Sequence, residues 1–217
     1  MTHRSHTENA VSLEMLRKYD QAGPRYTSYP PANHFTQTPE IAQGEPAPLS
    51  LYFHLPFCKT QCLYCGCTNI VTCNQSKSSE YLCYLEREVA LRAPYVAAGS
   101  ETVQIQLGGG TPTFFEPAEI EQLGRLIRDH FPMASKIEAG AEIDPRSLTQ
   151  EKVQALRNAG FNRASLGVQD TNPDVQKAIA RIQPMELIEQ TNRWLRESGM
   201  ESINFDMIYG LPNQTVE

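Results

Sequence analysis

The sequence predicts an α/β fold built on a parallel sheet, and two observations carry that expectation. Short runs with β-like alternation are interleaved with longer runs of helical periodicity. Each β-like run is followed at once by polar or glycine-rich residues. Strand, helix, strand in that order implies right-handed crossovers and parallel pairing. Parallel α/β sheets collect their chemistry at the C-terminal ends of the strands.

Taken in order, residues 1–48 do not follow the pattern. They offer one short helix near Val11–Tyr19 and then a loop rich in Pro and Gly, which we read as an N-terminal arm. The sheet domain is expected over residues 49–217. Its strands are LSLYFHL (Leu49–Leu55), TVQIQL (Thr102–Leu107), KIEAGAEI (Lys136–Ile143), RASLGV (Arg163–Val168) and SINFDMI (Ser202–Ile208). Helical spacing runs over Ser79–Arg92, Pro117–Phe131, Thr149–Ala159 and Pro184–Ser198. Pro117 and Thr149 suit helix starts, and Gly160 and Gly199 sit where a C-terminal cap belongs. At the strand ends lie CKTQCLYCGC (Cys58–Cys67), GGGT (Gly108–Thr111), EIDPR (Glu142–Arg146), VQD (Val168–Asp170), and Asp206 with YGLP. That convergence on one sheet edge is harder to obtain by chance than any single motif.

Composition narrows what the motifs do. A chain of 217 residues buries a core without disulfide or metal staples, so stability does not explain the cysteines. The N-terminal MTHRSHTENA lacks an apolar segment, and no run approaches the roughly 18 apolar residues of a membrane span. The expectation is a cytoplasmic protein with no membrane contact. A formal net charge of −6 argues against a nucleic-acid partner, which would leave a basic footprint. An anionic small molecule fits if basic residues gather locally.

Four of the six cysteines fall within ten residues, spaced C-x3-C-x2-C-x-C. Cysteines clustered this tightly in an intracellular chain are metal-binding or catalytic more often than paired. Three thiolates at Cys58, Cys62 and Cys65 suit one compact cluster, and Cys67 is the one most readily left out. A closed four-sulfur zinc site is an alternative, although zinc motifs usually pair two C-x2-4-C units across a longer gap. An iron–sulfur cluster held by three cysteines keeps one iron open to a further ligand. Cys73 and Cys83 have no partner at useful spacing, and Trp194 lies in an amphipathic run that reads as core.

C-x3-C-x2-C followed by a glycine-rich strand end resembles the radical S-adenosylmethionine (SAM) superfamily. GPRYTSYP (Gly23–Pro30), HLPFCKTQCLYCGC, GGGTPT, EIDPR, GVQD and DMIYGLP together resemble its oxygen-independent coproporphyrinogen III oxidase family. The resemblance runs from about residue 15 to the last residue. It implies a partial radical-SAM (β/α) barrel, with five of six strands readable, and a [4Fe–4S] cluster on Cys58, Cys62 and Cys65. It also implies two molecules of SAM. Tyr52, Gly109 and Glu142 match positions that touch the first; Tyr64, Gly110, Thr111, Gln169, Arg181 and Asp206 match positions that touch the second. The glycines would allow close backbone approach, or serve a tight turn, and the carboxylates would accept hydrogen bonds from ribose hydroxyls or an ammonium group.

The reaction implied is oxidative decarboxylation of two propionates of coproporphyrinogen III to vinyl groups, giving protoporphyrinogen IX in haem synthesis. A 5′-deoxyadenosyl radical made from SAM would remove the propionate hydrogen. The implied partners are that small-molecule substrate and an electron-donor protein, with a monomeric enzyme. Arg25 is either a partner for a substrate carboxylate or an ordinary surface arginine, and His54 either tunes the cluster or packs. Two rivals remain at this point: a related haem-binding chaperone of the same superfamily, and a zinc-binding module. The family's sixth strand and C-terminal domain have no counterpart in this sequence. The expectation is therefore an N-terminal fragment, inactive by itself.

Overall fold

The computed structural model describes residues 13–19 and 45–215. The chain divides into two units, Met1–Ile41 and Ala42–Glu217. In the first unit the described element is α1 (Leu13–Tyr19), inside the span that periodicity predicts. The GPRYTSYP stretch, Arg25 included, lies outside the described residues.

The second unit is an α/β structure on a five-stranded parallel sheet. Its strands are β1 (Leu49–Leu55), β4 (Thr102–Gly109), β5 (Met133–Ile143), β6 (Arg163–Gln169) and β7 (Ser202–Met207), paired in that order. A separate two-residue pair, β2 (Phe57–Cys58) with β3 (Ile70–Val71), brackets the cysteine loop. The connections carry α2 (Ser76–Arg92), α3 (Pro117–His130), α4 (Gln150–Asn158), and then α5 (Pro173–Ala178) and α6 (Met185–Glu197). Because every pairing is parallel, all five C-terminal ends reach one edge.

Local chemistry sets the helix ends. Pro117 occupies the first turn of α3, and Glu116 and Glu119 form a reciprocal capping box there. The Thr149 hydroxyl accepts from the Lys152 N–H and starts α4. The helix α2 begins three residues before the predicted Ser79, because its first turn is polar and carries no periodic apolar residue. Asn74 Oδ1 accepts from the Ser76 N–H at 3.1 Å and holds that turn. The short α5 was not predicted from periodicity, since six residues are too few to show it; Asn172 caps it at 2.9 Å and Pro173 follows.

The core lies between the helices and one face of the sheet. Leu55, Leu107, Ala141 and Leu166 from the strands meet Leu82, Leu123, Ile127, Leu156 and Leu195 from the helices. Trp194 is half-buried against this cluster, as its amphipathic run predicts. The opposite face carries polar strand residues, including Gln104, Glu138, Ser165, Asn204 and Asp206. At the β7 edge, Phe205 and Met207 are exposed.

Leu166 is fully buried in the central part of this cluster. Leu166→Ala is expected to cost about 2–5 kcal/mol of unfolding free energy, whereas Leu91→Ala, on the exposed side of α2, should stay within about 0.5 kcal/mol. Chemical denaturation of the two variants beside the parent checks the contrast.

Candidate functional site

The cysteine loop leaves β1 at Leu55 and is bound back onto the sheet within a few residues. The Gly110 N–H donates to the Leu55 carbonyl at 2.9 Å, and the Thr111 N–H donates to the Phe57 carbonyl at 2.9 Å. A Cβ on Gly110 would lie 2.5 Å from the Pro56 carbonyl oxygen. Gly109 has φ +119°, a conformation open to glycine, and a Cβ there would sit 2.9 Å from the Leu55 carbonyl. The absence of side chains at Gly109 and Gly110 is thus required by the backbone where β1 runs into the loop.

The far end of the loop is tied down by His54. Its Nε2 lies 2.7 Å from the Thr68 carbonyl and its Nδ1 lies 3.0 Å from the Tyr52 hydroxyl. Since a carbonyl only accepts, Nε2 carries the proton and Nδ1 accepts from Tyr52. His54 therefore straps the loop to β1, and Tyr81, on α2, donates to the His54 carbonyl at 2.7 Å. The middle of the loop is anchored where the Leu63 N–H donates to the Ile179 carbonyl at 3.0 Å.

One cavity opens over the strand ends, and the predicted residues reach it from different elements. The loop supplies Cys58, Cys62, Tyr64, Cys65 and Cys67. Gly109, Gly110 and Thr111 enter from the end of β4, Glu142 from β5, Gln169 from β6, Asp206 from β7, and Arg181 from the segment after α5. Tyr52 is the exception among the expected residues. It is exposed on β1 beside the cavity, near Glu142, whose charge adds to burial in raising the phenol's pKa. Cys73 and Cys83 are exposed, and all six cysteines are free thiols.

Register explains the juxtapositions. Glu142 pairs with Ser165 across β5 and β6, and Gly167 pairs with Asp206 across β6 and β7. Ser165 donates to one Asp206 oxygen at 2.8 Å and Asn204 donates to the other at 2.6 Å, so the carboxylate is fixed in direction. Burial raises the Glu142 carboxyl, Asp206 adds to this, and the Gly109 N–H opposes it. Gln169 sits at a shift in register between β6 and β7 with φ +67°, an uncommon conformation for a residue with a side chain.

Asp144 and Arg146 sit within the EIDPR motif, yet the sequence does not reveal what they do. Arg146 Nη2 lies 2.7 Å from Asp144 Oδ2 and 3.3 Å from Cys62 Sγ. Arg181 Nη1 lies 3.2 Å from the same carboxylate oxygen and 3.5 Å from the same sulfur. Arg181 also donates from Nε and Nη2 to the Gly167 carbonyl, at 3.0 and 2.7 Å. Burial would raise the Asp144 carboxyl, but the two guanidinium groups together hold it below the usual value. Burial, with Asp144, Cys65 and Cys62 nearby, pushes the Cys58 thiol up to about 11. Burial and the neighbouring Cys65 do the same for Cys67. Asn69 Nδ2 lies 3.5 Å from Cys65 Sγ.

The profile of the Radical SAM superfamily matches residues 52–217. The chain belongs to the radical SAM superfamily. It is 44% identical to the oxygen-independent coproporphyrinogen III oxidase of Helicobacter pylori, over 95% of this chain and 48% of that protein. It is 43% identical to the Escherichia coli (strain K12) protein of the same name, over 94% of this chain and 46% of that one. The solved structure of coproporphyrinogen III oxidase (HemN) from Escherichia coli, described as a radical SAM enzyme, superposes with a TM-score of 0.83 at 43% identity, covering 92% of this chain and 46% of that one. A radical SAM methyltransferase, TsrM from Kitasatospora setae, shares the fold at a TM-score of 0.52 and 14% identity. The chain spans about half the length of the curated relatives it matches.

Membership of this superfamily implies a [4Fe–4S] cluster and SAM, and the residues present suit both. Cys58, Cys62 and Cys65 line one cavity, and among the described residues no group of three or more His, Cys, Asp or Glu could hold one metal ion. A cuboidal cluster is larger than one ion and takes thiolates at separate corners. Two guanidinium groups lie within reach of the Cys62 sulfur, Arg146 at 3.3 Å and Arg181 at 3.5 Å, and can donate to it as a cluster ligand. Next to the cysteines, Glu142 and Asp206 offer acceptors to a polar cofactor.

Asp144 gives a pH dependence with a definite sign. Its folded pKa is below the value in an unfolded chain, so its stabilisation is complete above the ordinary Asp range and is lost as pH falls through the folded value. Asp144→Asn is expected to lower stability by about 1.5–3 kcal/mol at pH 7 and by less under acid conditions. Urea titrations of parent and variant at both pH values test this.

Proposed function

We propose that this chain binds a [4Fe–4S] cluster through Cys58, Cys62 and Cys65 and serves the oxidative decarboxylation of coproporphyrinogen III to protoporphyrinogen IX. The observation that carries the reading is one cavity, at the C-terminal ends of a parallel sheet, shared by the three cysteines and polar groups from four strands. The names of relatives at 43–44% identity support the choice of reaction. When bound, the reduced cluster would supply the electron that splits SAM into methionine and a 5′-deoxyadenosyl radical.

In this proposal the chain's own residues hold two SAM molecules. Tyr52, Gly109 and Glu142 serve the one at the cluster. Burial favours protonation of Glu142, and an incoming ammonium group would reverse that preference by pairing with the carboxylate. Tyr64, Gly110, Thr111, Gln169, Arg181 and Asp206 serve the second. Asp206, already oriented by Ser165 and Asn204, suits a pair of ribose hydroxyls. Cys67 stands beside the cluster without binding iron. The partners proposed are coproporphyrinogen III and an electron-donor protein, and the protein acts as a monomer.

Anaerobic reconstitution with iron and sulfide tests the ligand set. Cys58→Ala, Cys62→Ala and Cys65→Ala should each lose cluster iron, while Cys67→Ala should keep it; iron retained in Cys65→Ala and lost in Cys67→Ala would sink the assignment. Asp206→Ala should keep its iron and bind SAM roughly ten- to hundredfold more weakly. Turnover of coproporphyrinogen III, with reductant and SAM, is expected from a protein of the relatives' full length and not from the 217-residue chain alone. Equal turnover by both would overturn that part of the proposal.

A further inference from the structure

Cys62 differs from the other cysteines of the loop in what surrounds its sulfur. It is 8% exposed and takes two cationic donors, Arg146 Nη2 at 3.3 Å and Arg181 Nη1 at 3.5 Å. Cys65 takes a neutral amide, from Asn69 at 3.5 Å. Both guanidinium groups are oriented by one carboxylate. Asp144 Oδ1 accepts from the Arg146 backbone N–H and Nε, each at 3.0 Å, and Oδ2 accepts from Arg146 Nη2 at 2.7 Å and Arg181 Nη1 at 3.2 Å. This fork leaves Arg146 little freedom of rotation. The aspartate itself is fixed beside Pro145 at the end of β5, where a single helical turn, Pro145–Ser147, begins.

We infer that Arg146, oriented by Asp144, is a positioning residue whose hydrogen bond to the Cys62 sulfur raises the reduction potential of the cluster. The inference rests on the proposal that Cys62 is a cluster ligand. Hydrogen bonds to the sulfurs and local charge are among the factors that set the potential of an iron–sulfur cluster. The reduced cluster carries one more negative charge than the oxidised one, so a cationic donor on a ligating sulfur stabilises the reduced form more. A low-potential one-electron donor supplies the electron, and no bond is made or broken in the protein.

The test separates this role from two simpler ones. If Asp144 acted only through its own negative charge, Asp144→Asn would make reduction easier. If it acts by holding Arg146 on Cys62, the same substitution releases the donor and makes reduction harder. The potential of the reconstituted chain would be measured by anaerobic redox titration, with electron paramagnetic resonance reporting the reduced cluster. We expect Arg146→Met and Asp144→Asn each to shift the equilibrium about tenfold toward the oxidised form, roughly 59 mV lower for one electron. Arg146→Lys, which keeps the charge and loses the fork, should fall between parent and Arg146→Met.

A higher potential in Asp144→Asn, or a change of less than twofold in Arg146→Met, overturns the inference. So does loss of iron from folded Arg146→Met as complete as from Cys62→Ala, since the arginine would then hold the loop and not tune the cluster. Full iron retention by Cys62→Ala would instead overturn the ligand assignment beneath it. Circular dichroism and iron content of every variant accompany the titration, so a folding defect is read separately.

Discussion

Two backbone hydrogen bonds, from Gly110 to the Leu55 carbonyl and from Thr111 to the Phe57 carbonyl, fix the cysteine loop to the sheet. Everything in the site is placed relative to that joint. Strand β4 can close on the loop only because Gly110 has no side chain to meet the Pro56 carbonyl. The joint fixes the loop's first cysteine, the His54 strap fixes the stretch after the last, and the Leu63–Ile179 bond fixes the middle. A loop held at three points presents its thiols from a rigid frame. This is the condition under which several ligands bind one cluster without a large ordering cost.

The two faces of the sheet divide the work. The helix-covered face buries the leucines, isoleucines and phenylalanines that stabilise the fold, and of these Ile143 also lines the cavity. The polar face and the strand ends carry the groups with chemistry, each constrained by a neighbour. Asp206 is held by Ser165 and Asn204, Arg146 by Asp144, and Arg181 by the Gly167 carbonyl. Beside the site a second small cluster, Val175, Ile179 and Leu211, packs against Tyr64.

The sheet was legible in the sequence because strand alternation and helical spacing are local signals. Leu49–Leu55 is observed as predicted, and the other strands differ by a few residues at their ends. The strand ends could be read as one site because parallel topology brings them together whatever the details. The β2–β3 pair could not be read, since two residues a side carry no periodicity. The link from Arg146 and Arg181 to Cys62 was hidden for another reason. It joins positions 84 and 119 residues apart, and no local pattern says which cation meets which sulfur. His54 was ambiguous in the sequence, and the Thr68 carbonyl decides its structural part.

Gln169 holds a left-handed backbone conformation at the end of β6 while its side chain faces the cavity. Such a conformation is uphill by on the order of 1 kcal/mol for any residue with a Cβ, and glycine would adopt it freely. Selection for thermal stability alone would therefore favour glycine at position 169, and it would erase an amide group that faces the site. At this one position backbone ease and a polar group facing the cavity ask for different amino acids, so ranking variants by melting temperature would select against the amide.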